Sequence, residues 1–455
     1  MRYDMMRNLR VLLGASLLGV LCVLCLGSGG ASAQGGVGEL EGYLFDLKGV
    51  RFRSLPVMEG FAACYALEIT QPVDHAHPED GRTFQQRVFL AQKDEARPTV
   101  LVTEGYSRGA QYPAELTTAI GANQLIVEHR YYGTSIPEDA DYAYLNIEQA
   151  AADLHRIRTL FADWFTGPWL ASGISKGGQT TTFYRYFYPE DVAVSVPYVA
   201  PINLSLEDPR IYEFLRTHGD AECREGIAAV QRRLLEEREA SLLRLKWFAK
   251  GEGSEFGDYL AFEEAFEYAV LEYPFSFWQW GASCGDLPDP GASLDEVLDH
   301  FLEVSGVAFF SDASMEEYAS HYYQCVREFG YYGYEVAPFS GQIQALTTFP
   351  NPSAIFIPPG VDVAYDGGAL ARTVWDWAAL NADQFLVING ADDTWSATGL
   401  TREHLADRDA LVFLMEGQHH GSARIKNLGA KDQRAVVKAL ERWLEAPVTG
   451  WLQAH

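Results

Sequence analysis

A doubly wound α/β sheet interrupted by a long helical insertion is the fold class that the sequence predicts, and three observations carry it. Short apolar runs alternate with helix-period segments up to about residue 204. A Gly-x-Ser-x-Gly pattern, Gly173 to Gly177, stands between one such run and a helix-like segment. Two late apolar runs each end in side chains suited to acid–base chemistry. Between these two regions the strand rhythm disappears.

The chain has 455 residues and is 48% hydrophobic, enough for a large core. Arg2, Arg7 and Arg10 precede a 16-residue apolar run, Val11 to Leu26, and then Ala31, Ser32 and Ala33. This order reads as a secretory signal peptide, residues 1–33, cleaved near Ala33, and the run is short for a membrane span. The mature protein is therefore expected outside the cytoplasm, extracellular or periplasmic. It keeps Cys64, Cys223, Cys284 and Cys325. An even number in an exported chain predicts two disulfides, in any of three pairings. No Cys-x-x-Cys remains and no His-Glu-x-x-His occurs, so neither metal nor cofactor is expected.

Formal charge is −27, from 35 basic and 62 acidic residues; the signal peptide removes three arginines and one aspartate, leaving −29. An acidic surface of this size argues against nucleic acid and anionic membranes as partners.

Residues 34–55 read as an N-terminal arm, and 64–92 as a hairpin broken by the polar stretch 74–81. Thr99–Thr103 and Leu125–Val127 fit buried parallel strands. Asn146 is a helix cap before Ile147, Ala150, Ala151, Leu154, Ile157 and Phe161, which repeat at helical spacing. Trp169–Ala171 leads into the serine motif, a helix-like run follows until Pro189, and Val192–Val196 is strand-like. Residues 34–204 thus form the first part of a sheet core. Residues 205–345 carry long helical patterns, such as Glu222 to Phe248, and the aromatic clusters Tyr273–Trp280 and Tyr322–Tyr332. They read as a helical cap. Strand-like runs return at Ser353–Ile357, Phe385–Ile388 and Leu411–Leu414, and a helix over Lys431–Glu445 closes residues 346–455 as the second part of the core.

A serine hydroxyl is a weak nucleophile and needs a base, which in turn needs an acid to hold its tautomer. The strand–Ser–helix context of Ser175 matches the nucleophile elbow of the α/β-hydrolase fold, in which acid and base follow on loops after late strands. Asp392 and Asp393 follow the Phe385 run, and His419 and His420 follow the Leu411 run. Order and placement predict an α/β-hydrolase fold with an inserted helical cap domain and a Ser-His-Asp triad. One member of each neighbouring pair is expected to be a bystander. Gly105–Gly109 also reads Gly-x-Ser-x-Gly around Ser107, but it follows an early strand and Pro113 spoils a helix start. That place suits the oxyanion loop, with the N–H of Tyr106 as one donor and the N–H of Lys176 as the other.

The run Ser172–Thr180, with Phe183–Val192 and Tyr198–Pro201, resembles the secreted bacterial prolyl tripeptidyl aminopeptidases. Phe84–Arg87, Glu128–Ser135 and Gln324–Gly330 also resemble their relatives, lysosomal prolyl carboxypeptidase and dipeptidyl peptidase. The family's Gly-x-x-Asp-Pro-Trp maps onto Gly390–Trp395, with Thr394 in place of proline, and implies Asp393 as the acid. The tripeptidyl group's Asn-His-Gly matches His419-His420-Gly421 and implies His420 as the base; the carboxypeptidase pattern Gly-Ala-His-His would imply His419. The resemblance implies a serine aminopeptidase acting on peptide substrates, with a flat apolar slot for proline. Trp278 and Trp280 are candidate walls. Glu104 and Glu328 are candidate carboxylates for the substrate ammonium, and Glu128 beside Arg130 reads as structural. A serine carboxypeptidase-like peptidase, or an esterase or lipase on the same fold, would carry the same triad.

Overall fold

A computed structural model describes residues 35–347 and 351–454. The signal-peptide reading, with Cys22 and Cys25, lies outside the described residues. Nine strands form one sheet: β1 (Val50–Ser54), β2 (Ala63–Pro72), β3 (Thr83–Gln92), β4 (Thr99–Thr103), β5 (Asn123–Val127), β6 (Trp169–Ile174), β7 (Val194–Tyr198), β8 (Phe385–Gly390) and β9 (Ala410–Met415). Their spatial order is β1-β2-β3-β5-β4-β6-β7-β8-β9. The β1–β2, β2–β3 and β3–β5 pairings are antiparallel and the rest are parallel. This is the α/β-hydrolase fold.

The central strands are apolar on both faces because helices cover both. Val100 and Val102 of β4 pack with Ile126, Val194 and Val196 against helices Glu115–Ile120 and Ala430–Leu444. Leu101, between them in sequence, points the other way and joins Leu125, Leu154, Ile157 and Phe161 under helix Ile147–Leu160. The N-terminal arm is helix Gly35–Asp46 followed by β1, and Leu40 and Leu44 enter this second core. Asn146 caps helix Ile147–Leu160, its side chain accepting from the Gln149 N–H.

From Pro209 to Gln324 the described elements are all helical, and they bury their own core of Phe266, Tyr273, Phe277, Phe301 and neighbours. The pattern over Glu222–Phe248 is two helices, Ala221–Glu236 and Arg238–Glu252, hinged at Glu237. The aromatic cluster Tyr273–Trp280 is itself helical: its residues up to Gln279 form the last turns of helix Phe262–Gln279. The strand expected at Ser353–Ile357 is instead a helical turn, Pro352–Ile355. Asn351 accepts from the Ser353 N–H, and proline at the first helical position favours that turn over extension. Phe356 then fills a gap among Tyr268, Phe310 and Tyr322.

The expectation of two disulfides is corrected to one among the described residues. Cys223 is bonded to Cys284, tying helix Ala221–Glu236 to the turn Cys284–Asp286. Cys64 and Cys325 are free and buried. They cannot pair because Cys64 lies in β2, beside the Met58 N–H, whereas Cys325 sits beside His321 in the helical layer. No described helix is long and apolar enough to cross a membrane.

Candidate active site

The parallel register aligns the carboxyl ends of four strands: Ile174 beside Tyr198, Tyr198 beside Ile388, and Gly390 beside Met415. Loops leaving these ends converge on one place, as open α/β sheets require of their sites.

Ser175 occupies the turn between β6 and helix Lys176–Phe187, at φ 60° and ψ −127°. A non-glycine residue there stores on the order of 1–3 kcal/mol of backbone strain. The turn is held by the Ser175 N–H, which donates to Tyr198 O at 2.9 Å. The flanking glycines are needed for space. A Cβ on Gly173 would run into the Gly177 carbonyl, and one on Gly177 into the Thr103 carbonyl. Thr103 at the end of β4 donates its hydroxyl to Gly177 O at 2.7 Å, clamping the β4 loop to the elbow.

Asp393 begins the turn after β8 and is fully buried. Its carboxylate accepts from the Trp395 N–H at 3.2 Å and the Ser396 hydroxyl at 3.1 Å. The same Oδ2 meets His420 Nδ1 at 2.9 Å. Asp392 faces elsewhere, is a third exposed, and meets His218 Nε2 at 3.1 Å. His420 is buried, its N–H donates to Gln279 O at 3.1 Å, and the rings of Trp280 and His420 pack nearly perpendicular to each other. The His419 ring instead crowds Gly281, where no Cβ would fit. The structure therefore brings together Asp393 and His420 from the four candidates.

The β4 loop supplies the other side. A Cβ at Gly105 would come within 2.6 Å of Lys176 Cβ, so glycine allows this loop to lie on the elbow. Among the described residues neither Tyr106 N–H nor Lys176 N–H is engaged by a backbone acceptor. Ser107 is exposed in irregular chain, with the next helix starting only at Glu115. The Lys176 amine is buried, donating to Gly105 O at 2.7 Å and Tyr132 Oη at 2.9 Å. Burial pushes its pKa well below the usual lysine value. His129 and His321 are likewise pushed down, by burial first and then by the nearby Lys176.

Glu104 is engaged within its own loop, pairing with Arg108 at 3.0 Å and accepting from Tyr112 Oη at 3.0 Å. Glu328 accepts from the Ile147 N–H at 2.9 Å and lines a cavity of about 660 Å³ with Asp141, Tyr142, Tyr323, Arg327 and Asp366. Burial raises its carboxyl to about 7. Glu128 is buried and ties its loop together, accepting from Arg108 N, Thr134 N and the Ser135 hydroxyl. Trp278 is buried against His218 in the helical core, leaving Trp280 as the tryptophan that reaches His420.

Sequence reasoning missed Ser396 and the rings around Lys176. Ser396 had a local signal, since an Asp opening a short turn commonly bonds residues two or three further on. The rings come from distant segments and had none.

A nine-stranded sheet of this order, with a strained serine at the end of β6, defines the class as an α/β hydrolase. The chain belongs to the PS-10 peptidase S37 family, whose model matches residues 44–449, and it is a serine peptidase. It is 30% identical over 453 residues to prolyl tri/tetrapeptidyl aminopeptidase of Streptomyces mobaraensis, covering 96% of this chain and 92% of that protein. It is also 30% identical over 156 residues to mouse (Mus musculus) lysosomal Pro-X carboxypeptidase, covering 30% of this chain and 32% of that one. Among solved structures, proline iminopeptidase of Mycobacterium smegmatis matches with a TM-score of 0.43 at 15% identity, over 83% of this chain and 99% of that one.

Proposed function

We propose that this protein is an exported serine aminopeptidase that releases short, tripeptide-sized and proline-containing units from peptide N-termini. The observation that carries the chemistry is the buried 2.9 Å contact of Asp393 with His420 Nδ1, on the loops beside the Ser175 elbow. With Asp393 holding the Nδ1 proton, Nε2 is free to act as the base.

In this reading Ser175 Oγ attacks the scissile carbonyl carbon and its proton passes to His420 Nε2. The tetrahedral oxyanion is met by the N–H groups of Lys176 and Tyr106. His420 returns the proton to the leaving nitrogen, the C–N bond breaks, and an ester to Ser175 remains. Water, deprotonated by the same histidine, hydrolyses it.

Aminopeptidase action is supported by the name and full-length similarity of the Streptomyces relative. Glu104 is already neutralised by Arg108, which leaves Glu328 as the carboxylate we assign to the substrate ammonium. Trp280 is the wall we assign to the proline slot. Export is supported by the Cys223–Cys284 disulfide, which suits an oxidising compartment.

The test is a peptide library with free or blocked N-termini, run with the mature protein and Ser175→Ala. Tripeptide release from free N-termini alone is expected. Hydrolysis of simple esters without peptide turnover, or release from C-termini, overturns the reading; activity in Ser175→Ala overturns the nucleophile.

A further inference from the structure

We infer that the Lys176 side chain is a positioning group for the oxyanion hole: its amine fixes the Gly105–Tyr106 peptide so that the Tyr106 N–H faces the reacting carbonyl. This rests on the serine-peptidase mechanism proposed above.

The described chain has no cis peptide bonds, so Gly105 C=O and Tyr106 N–H point in opposite directions within one rigid plane. Lys176 Nζ holds the carbonyl end at 2.7 Å. The N–H end is thereby aimed the other way. The stretch from Gly105 to Ala114 is neither helix nor strand, so no ladder fixes this plane. Tyr106 O is bonded by the His129 N–H at 3.3 Å, which anchors the following peptide rather than this one.

The amine itself is held tightly. Its second acceptor is Tyr132 Oη at 2.9 Å, and the rings of Tyr106, Tyr132 and Phe329 surround it at 4.5 to 5.6 Å. Among the described residues it forms no ion pair; both hydrogen-bond partners are neutral. Burying an amine costs free energy that a methionine of similar length would not. A donor on a carbonyl oxygen also polarises the peptide and strengthens its N–H as a donor. Lys176 would thus serve both donors of the hole, one with its backbone and one through its side chain. Substitution of the side chain leaves the first untouched.

The experiment compares wild type, Lys176→Met and Ser175→Ala on a free-N-terminus chromogenic peptide. Affinities are also measured for a peptide aldehyde and for a reduced-amide analogue that has no carbonyl at the scissile position. Lys176→Met is expected to lower kcat about 10- to 100-fold, less than outright removal of an oxyanion donor. KM and reduced-amide affinity should change by less than about twofold, while aldehyde affinity falls in step with kcat. Wild-type kcat, a loss confined to KM, or equal loss of both affinities overturns the inference. Lys176→Gln, whose amide ends one bond short, should show the same split to a smaller degree; full kcat and aldehyde affinity in it would also overturn it. Activity in Ser175→Ala would instead bring down the underlying mechanism.

Discussion

Asp393→Asn isolates the tautomer argument. Asp393 has its two oxygens committed, one to the Trp395 N–H and the other to Ser396 Oγ and His420 Nδ1. Asparagine fits the same space. If its oxygen stays on the Trp395 N–H, its amino group faces His420 and forces Nδ1 to accept. The imidazole proton then sits on Nε2, where the serine proton should go. If the amide flips, two donors face each other at Trp395, an unmade buried hydrogen bond costing about 1–3 kcal/mol. The flip keeps a proton on Nδ1, so its cost at Trp395 favours the first arrangement, which disarms the proposed base without disturbing packing. The expected loss is on the order of 10⁴ in kcat, or about 5 kcal/mol of transition-state stabilisation, with KM nearly unchanged. Asp392→Asn is the matched control. Its partly exposed contact with His218 should be worth no more than about 1 kcal/mol. Steady-state kinetics on a free-N-terminus tripeptide substrate, with melting curves to check folding, decide it. Retention of a tenth of wild-type kcat in Asp393→Asn, or an equal loss in Asp392→Asn, would refute the reasoning.

The paired histidines should separate in the same assay: His420→Ala is expected to lose kcat by on the order of 10³ or more, and a larger loss in His419→Ala would reverse the assignment. Burial lifts the Glu272 carboxyl from its usual 4.5 to about 7, although Tyr332, Tyr334 and Ser276 all donate to it. The folded state then holds a proton that the unfolded chain has released. Stability falls as pH rises from 4.5 to 7, by up to about 3 kcal/mol, and stays lowered above that. Glu272→Gln should therefore improve Tm relative to wild type more at pH 8 than at pH 5, and a pH-independent difference would exclude this. Cys223→Ser with Cys284→Ser opens a link across 61 residues; the chain-entropy account puts the loss at about 4 kcal/mol, seen as a lower denaturation midpoint, and an unchanged midpoint would contradict it.

The centre of the sheet was legible because its strands are buried on both faces and so appear as short, largely apolar runs. The elbow was legible because close approach of backbone to backbone at Gly173 and Gly177 admits no other residue. The helical layer was harder to read. Ser353–Ile357 has the composition of a strand, and only Asn351 and Pro352 mark the helical turn that forms. Trp278 and Trp280 are two apart at a helix end, which turns them about 200° from each other. Spacing says they diverge, but the packing of the layer decides which enters the core. The surroundings of Lys176 come from residues 105–106, 129–132 and 321–329, whose meeting is tertiary and leaves no local pattern.

The two neighbouring pairs, Asp392 with Asp393 and His419 with His420, have a common explanation in the structure. Consecutive side chains on non-helical backbone point to different sides. If one of each pair faces the elbow, the other must face outward, and here outward is the helical layer. Asp392 meets His218, just beyond helix Pro209–Thr217, and His419 packs on Gly281, just beyond helix Phe262–Gln279. The inner members form the contact proposed to run the chemistry, and the outer members join the same two loops to the layer above. A shift of that layer would therefore be felt at Asp393 through one residue of backbone, and at His420 also directly, through Gln279 O and Trp280. Substituting Asp392 or His419 should loosen substrate binding before it touches kcat.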